Sequence, residues 1–280
     1  MHHAHATAPV ALVTGAARRI GAAMTRHLAL KGWRVLAHWH QSREDMDTLA
    51  RECHGRVETL RADLATAEGR CQLAKQVLGR VKDEGLDLVV HNASHFPHAR
   101  LADVDDALFD TLFTLHVKTP LLLSRDLAPA LSRRSGMVLN LLDAGAPLQW
   151  PGYLPYALSK QALKDATIAL ARELAPAVRV NGIAPGFILP PENAPDSYRH
   201  AEALRLTQAV GGPAEILRAL DYLLDSPFVT GEILTVDGGR RWIRPLASNA
   251  PAAPSACEEL RRVSGGPAPR PQVPPSLSRA

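Results

Sequence analysis

Val10-Ala11-Leu12-Val13-Thr14-Gly15-Ala16-Ala17-Arg18-Arg19-Ile20-Gly21 is the stretch that decides the fold. Its apolar start reads as a short buried strand, a turn of small residues follows, and helical spacing resumes at Ile20. Small side chains in such a turn let the backbone approach a pyrophosphate, while the unsatisfied N–H groups of the next helix point at it. A glycine-rich turn alone is weak evidence, because turns use glycine for conformational reasons. Placed between a strand and a helix, it reads as the phosphate end of a dinucleotide site, with Gly15, Arg18, Arg19 and Ile20 as candidate contacts.

Downstream, short apolar runs rich in β-branched residues alternate with longer stretches of helical period, the pattern of parallel strands wrapped by helices. The expected strands are Val10–Thr14, Arg34–Trp39, Val57–Arg61, Leu86–His91, Met137–Leu142, Arg179–Ile183 and Ile233–Val236. Expected helices include Ile20–Leu30, Ala67–Val81, Ala107–Leu131 and Leu154–Leu174. This order predicts a single α/β domain, Rossmann-type and doubly wound, over residues 9–244. A chain of 280 residues, 46% hydrophobic, can bury a core of that size. Residues 1–8 read as a flexible, His-rich start. Residues 245–280, dominated by Pro, Ala, Ser and Arg, read as a flexible tail, since they bury too little apolar surface to offset their ordering entropy.

Composition argues against other classes. The formal charge of +4 comes from scattered arginines rather than basic runs interleaved with aromatics, so no nucleic-acid partner is expected. No stretch approaches the ~18 consecutive apolar residues of a spanning helix, so no membrane partner is expected. Cys53, Cys71 and Cys257 have neither metal-ligand spacing nor disulfide-scaffold density, which predicts a reducing, cytoplasmic setting. No metal is expected: His2, His3 and His5 lack a rigid scaffold, and His91, His95 and His98 read as loop decoration.

The second strand ends in His38-Trp39-His40-Gln41-Ser42, where an NAD site places an acid for the ribose hydroxyls. Arg18, His40 and Ser42 instead offer donors to a 2′-phosphate, which predicts NADPH. On the competing reading, His38 and His40, two apart on one strand face, merely cap the sheet edge. Asp63 can accept from an adenine amino group, and Asn92 lies beside a ribose or stabilises the sheet; either can be structural.

Tyr156 and Lys160 lie four apart on a helix, so they share one face. A phenol of pKa about 10 is a poor proton donor and acceptor at neutral pH. A nearby ammonium and an oxidised nicotinamide are expected to pull that pKa down. Tyr153 lacks a lysine four residues later and reads as a pocket wall.

Taken together, TGAARRIG, Asp63, His91-Asn92-Ala93-Ser94, Tyr156 with Lys160, the segment Arg179–Gly186 and Val236-Asp237-Gly238-Gly239 resemble the short-chain dehydrogenase/reductase family from Val10 to about Trp242. The resemblance implies seven parallel strands, hydride transfer from C4 of a nicotinamide and often a homotetramer. It also implies cofactor contacts from Asn92, Ala93, Ser94, Lys160, Pro185, Gly186 and Ile188. Two positions depart from that family. Asp143 stands where it usually has Ser, and His116 where an Asn anchors a water relay to the lysine. A carboxylate at the Ser position repels the alkoxide that forms as a ketone accepts hydride, whereas it suits a nitrogen heterocycle with N–H donors.

A narrower resemblance follows from Arg18-Arg19, the His38–Ser42 corner, His91–Phe96 and Asp143 ahead of Tyr156 and Lys160: these are similar to the pteridine reductase branch. That branch implies Phe96 stacking a pterin against the nicotinamide, Arg19 and Ser94 near the pterin and the cofactor phosphates, and Asp143 with Tyr156 managing ring protons. Gln41 stands where the branch has a basic residue for the 2′-phosphate. The expected activity is therefore NADPH-dependent reduction of a dihydropterin, of the dihydromonapterin, dihydrobiopterin or dihydrofolate kind, to its tetrahydro form. The rivals are reduction of another carbonyl or imine, and a non-catalytic NADP sensor, which has no need of a tuned phenol. Phe187–His200 should cover the pocket and carries no readable specificity code.

Overall fold

A computed structural model describes residues 8–148, 151–190, 206–207 and 211–243. The expectations for residues 1–7, for the tail from 245 onward with Cys257, and for residues 191–200 of the pocket cover lie outside the described residues. The strands are β1 (Val10–Val13), β2 (Arg34–Trp39), β3 (Val57–Arg61), β4 (Leu88–His91), β5 (Met137–Leu141), β6 (Arg179–Pro185) and β7 (Ile233–Val236). They form one parallel sheet in the order β3-β2-β1-β4-β5-β6-β7. The helices are α1 (Arg19–Leu30), α2 (Arg43–Glu52), α3 (Ala67–Val81), α4 (Asp106–Phe113), α5 (Thr119–Ser132), α6 (Leu154–Glu173) and α7 (Pro213–Asp225).

Because successive strand side chains point to opposite faces, each apolar strand feeds two layers. Ala11 and Val13 of β1 pack with Met24 and Leu28 of α1, Met46 and Leu49 of α2, and Ile216 and Leu220 of α7. Val10 and Leu12 pack on the other side with Leu73 and Val77 of α3, Leu123 and Leu127 of α5, and Leu170 of α6. Each such Leu or Met, fully buried, contributes about 1.5–3 kcal/mol, which is why all-apolar strands are sandwiched between helices on both faces. Among the described residues, no helix is long and apolar enough to cross a membrane.

The strand order reverses at β1, which pairs with β2 on one side and β4 on the other. Val13 is level with Ala37 and with Val90, so the turns after β1, β2 and β4 open at one sheet edge. That edge is the switch-point crevice where open α/β sheets bind ligands.

Several boundaries differ from the sequence reading. β1 and β5 stop one residue earlier, while β6 runs on to Pro185. β4 starts at Leu88, because the Leu86 amide is taken by Ala130 O of α5. The helix expected over Ala107–Leu131 is interrupted by a π-helical turn, Thr114–Lys118, closed by Thr119 N–H on Thr114 O. Pro120 supplies the reason. It has no N–H to offer the His116 carbonyl four residues back, so regular α-bonding fails there and the chain takes in an extra residue.

Candidate active site

The phosphate turn is braced from three sides. Gly15 has φ +62°, and a Cβ on it would lie 2.8 Å from Ala93 Cα. A Cβ on Gly21 would meet Gly15 O at 2.2 Å, so only glycine lets α1 start this close to the turn. Asn92 Nδ2 donates to Thr14 O at 3.0 Å and Gly15 O at 2.9 Å, while Thr14 Oγ1 accepts from the Asn92 and Ala93 amides. Beneath the turn, His38 Nδ1 accepts from Gly15 N–H at 3.2 Å and Nε2 faces Ala62 O at 3.1 Å. A backbone N–H can only donate, so the His38 ring is neutral with its proton on Nε2. Burial holds its pKa down to about 4. His38 and the Asn92 amide thus form the frame of the turn. The first turn of α1 carries no acidic residue, and Arg18 at its N-cap makes no side-chain cap bond, so the leading N–H groups are left for an anion. This cradle fits a pyrophosphate.

Across the ends of β1, β4, β5 and β6 runs a cavity of about 730 Å³. Of the residues singled out from sequence, Gly15, Arg18, Arg19, Ile20, Asn92, Ala93, Ser94, Phe96, Asp143, Tyr156, Lys160, Pro185, Gly186 and Ile188 border it. His40, Ser42 and Asp63 do not; they lie past the ends of β2 and β3. There His40 Nε2 is 3.9 Å from Asp63 Oδ2, and both side chains are well exposed. Asp63 Oδ1 accepts from the Ala65 amide at 3.0 Å. Ser42 opens α2 without capping it through its hydroxyl, and Arg18 Nε is 3.6 Å from Asp45 Oδ2. Across the mouth of the cavity, Arg19 donates to Leu189 O and Pro190 O, both at 3.0 Å, from a left-handed backbone with φ +54°.

At the reacting end, Tyr156 Oη–H donates to Asp143 Oδ2 at 2.8 Å, and Gly145 N–H donates to Asp143 Oδ1 at 2.6 Å. Lys160 Nζ donates to Leu141 O at 2.8 Å and lies 5.9 Å from the Tyr156 ring centroid. This geometry corrects the expected direction of the phenol's pKa. Burial first, then the Asp143 charge and its hydrogen bond, push Tyr156 well above the ordinary phenol value. The Lys160 ammonium is directed to a backbone carbonyl, while the carboxylate sits on the phenolic oxygen. Burial brings Lys160 down to about 8, against the pull of Asp143. The Tyr156 phenol therefore keeps its proton at neutral pH, with Asp143 as its acceptor.

Phe96 stacks on Tyr153 with centroids 4.5 Å apart at 10°, and meets Tyr156 edge-on at 4.6 Å and 79°. The expectation that Tyr153 is itself a pocket wall is corrected: Phe96 borders the cavity, and Tyr153 backs it. Sequence reasoning missed what His116 holds, and missed Ser159 altogether. His116 Nε2 lies 3.0 Å from Ser94 Oγ and accepts from His95 N–H at 3.2 Å; Nδ1 lies 2.8 Å from Ser159 Oγ, which donates to Tyr156 O at 2.7 Å. His116 was visible as a departure from the family, but Ser159 carries no signal until the π turn brings the ring onto α6. The three histidines expected to decorate the loop separate: His91 is instead the last residue of β4, buried against Ser124 Oγ at 2.9 Å, while His98 lies in the loop and packs edge-on to Tyr153. Among the described residues, no group of three His, Cys, Asp or Glu side chains is placed to hold a metal ion.

Residues 15–241 match the family model described as enoyl-(acyl carrier protein) reductase. The dihydromonapterin reductase of Escherichia coli strain K12 is 34% identical over 238 residues, covering 82% of this chain and 95% of that protein. The FolM alternative dihydrofolate reductase 1 of Brucella suis, solved in complex with NADP, has a TM-score of 0.78 at 34% identity, over 86% of this chain and 98% of that one. The Brucella canis protein of the same name, also complexed with NADP, gives 0.77 at 33%, over 88% and 98%. The family match runs from the phosphate turn through the Tyr156–Lys160 helix to beyond the last strand, and the chain belongs to the short-chain dehydrogenase/reductase family of oxidoreductases.

Proposed function

We propose that the protein is an NADPH-dependent reductase that converts a dihydropterin to its tetrahydro form in the cytoplasm. The observation that carries this reading is the Tyr156 Oη to Asp143 Oδ2 contact at 2.8 Å in the cavity wall. A carboxylate there opposes the negative oxygen that forms when a ketone is reduced, but it accepts hydrogen bonds from the N–H groups of a heterocycle. Beside it, the half-exposed ring of Phe96 offers a flat face for a flat substrate. In support, the Escherichia coli relative is named dihydromonapterin reductase, and the Brucella proteins are named alternative dihydrofolate reductases and bind NADP.

On this reading Gly15, Ile20, Arg18 and Arg19 hold the pyrophosphate, and Arg18, His40 and Ser42 receive the 2′-phosphate. Asp63 accepts from the adenine, while Asn92, Ala93, Ser94, Lys160, Pro185, Gly186 and Ile188 complete the cofactor site. Bound NADPH supplies a hydride to a ring carbon of the substrate. Tyr156 gives its proton to the adjacent ring nitrogen, and the Lys160 ammonium compensates the charge left on the phenol. Asp143 orients the heterocycle through its N–H groups and favours return of a proton from water to Tyr156. Arg19, Ser94 and Phe96 flank the pterin.

Oxidation of NADPH is measured with dihydromonapterin, dihydrobiopterin and dihydrofolate, against a panel of ketones and against NADH. Turnover of a dihydropterin with NADPH preferred is the expected result; turnover of ketones alone refutes the reading. A homotetramer is also proposed, with the exposed side chains of Phe109, Leu121, Leu158 and Ile168 on α4–α6 as the apolar surface available to it. Sedimentation velocity tests this, and a monomer at micromolar concentration rejects it.

A further inference from the structure

His116 is 1% exposed and sits in the π-helical turn, between the loop after β4 and the catalytic helix α6. Every polar position of its ring is engaged. The His95 amide can only donate, so Nε2 carries the lone pair, which Ser94 Oγ–H shares at 3.0 Å. The ring proton is then on Nδ1 and goes to Ser159 Oγ at 2.8 Å. Ser159 sends its own proton to Tyr156 O at 2.7 Å, so the chain of donors runs in one direction. The imidazole thereby ties the Ser94–Phe96 loop to the turn of α6 that bears Tyr156. Its ring also packs edge-on against the Tyr156 ring at 5.6 Å.

We propose that His116 is a positioning residue that fixes Phe96 against Tyr156 in the cavity wall on which the substrate ring lies, and that it takes no part in proton transfer. The family's Asn at this position anchors a water relay to the lysine. A relay group must take up a proton and pass it on. His116 Nε2 cannot take one without turning the Ser94 hydroxyl round and expelling the His95 amide, which can only donate, and Nδ1 already carries one. Burial, reinforced by the charges of Lys160 and His95, holds its pKa down to about 2, so the ring stays neutral wherever the enzyme works.

Two substitutions divide the ring's functions. His116→Gln places an amide at the reach of Nε2 and keeps an acceptor for the loop. His116→Asn places one at the reach of Nδ1, keeps the link to Ser159, and restores the residue type used for the relay. For the proposal, His116→Asn raises KM for the dihydropterin by about 10- to 100-fold, because it forfeits two hydrogen bonds to the loop. The pH profile of kcat stays unchanged, and His116→Gln remains within about threefold of the parent KM, since its acceptor is retained. An unchanged KM in His116→Asn, or loss of an ionisation from its pH profile, overturns the proposal. The substrate arm rests on the pterin reading; two others do not. Nitrogen-15 NMR of the parent protein should find the Nδ1–H tautomer of His116 from pH 6 to 9, identified by its absence in His116→Gln; an Nε2–H or charged ring overturns the proposal. Amide exchange at His95 should accelerate in His116→Asn and not in His116→Gln, and equal protection in both overturns it even if no dihydropterin is turned over.

Discussion

Lowering the pH from 7 to 5 should cost this fold about 5 kcal/mol, because three buried imidazoles refuse protons that the unfolded chain accepts. His38, His91 and His116 are 2%, 4% and 1% exposed. Burial is the first cause of each depression, and their folded pKa values are about 4, 3 and 2. In the unfolded chain each titrates near ~6.5. Their contribution is therefore fully present above pH 6.5 and falls as the pH drops towards the folded values. Each ring loses about 1.4 kcal/mol per unit once the unfolded form is protonated, so three lose about 3.5 kcal/mol between pH 6 and 5. That is a large part of the ~5–15 kcal/mol that holds a typical domain together. Asp221 does not mask the effect in this window. For Asp221, burial raises the pKa but bonds from Lys31 and His27 outweigh it, and the net lowering from 3.8 confines its titration to more acid solution. Urea unfolding at fixed protein concentration, followed by tryptophan fluorescence and circular dichroism at pH 7, 6 and 5, measures the slope. His91→Gln, which keeps a partner for Ser124, should remove about a third of it. A slope below about 1.4 kcal/mol per unit, meaning fewer than one proton taken up on unfolding, refutes the reasoning.

Three predictions concern the reaction. Tyr156→Phe should lower kcat about 10²- to 10⁴-fold, the range of a lost general acid, with the NADPH dissociation constant nearly unchanged; parental turnover removes Tyr156 from the mechanism. Asp143→Ser should move the ratio of kcat/KM values from dihydropterins towards ketones, and an unaltered ratio would show that the carboxylate does not discriminate between them. The reductive kcat/KM should decline as the pH rises through about 8, where Lys160 loses the charge that supports the departing phenol proton. A rate level to well above that pH contradicts the role given to the ammonium.

What is legible in the sequence is what is local. The phosphate turn reads correctly because Gly15 answers to its own positive φ and Gly21 to Gly15 O six residues back, and the seven strands because each carries its own apolar run; that Ala93 also closes on Gly15 is not local and is not legible. The π turn hides inside a helical period that survives one extra residue, although Pro120 marks it. His38 reads as an edge residue until β3 supplies Ala62 O and the turn supplies Gly15 N–H, a fit that depends on three strands at once. The phenol fails differently. Tyr156 and Lys160 are four apart as the spacing requires, yet the phenol's pKa is raised rather than lowered, because burial and Asp143 set it. The Lys160 proton goes to Leu141 O and the Tyr156 proton to Asp143, thirteen residues upstream on another element. Spacing along a helix gives proximity of side chains, not the direction of their polar ends.

The two departures from the family pattern, Asp143 and His116, belong to one electrostatic arrangement. Asp143 adds a negative charge beside the phenol, so Tyr156 retains its proton, and Lys160 balances that charge from beneath. A cationic ring at His116 would place a second positive charge near Lys160 and drive the lysine to release its proton. The His95 amide prevents this by occupying the one nitrogen that protonation would need. A neutral His116 is therefore the condition under which Asp143 and Lys160 remain a matched pair and Tyr156 remains an acid. Swapping Asp143 for Ser while keeping His116 should leave Lys160 without its counter-charge and lower its pKa further. For that reason the alkaline limb of Asp143→Ser should move to lower pH, whereas that of His116→Gln should stay where the parent has it.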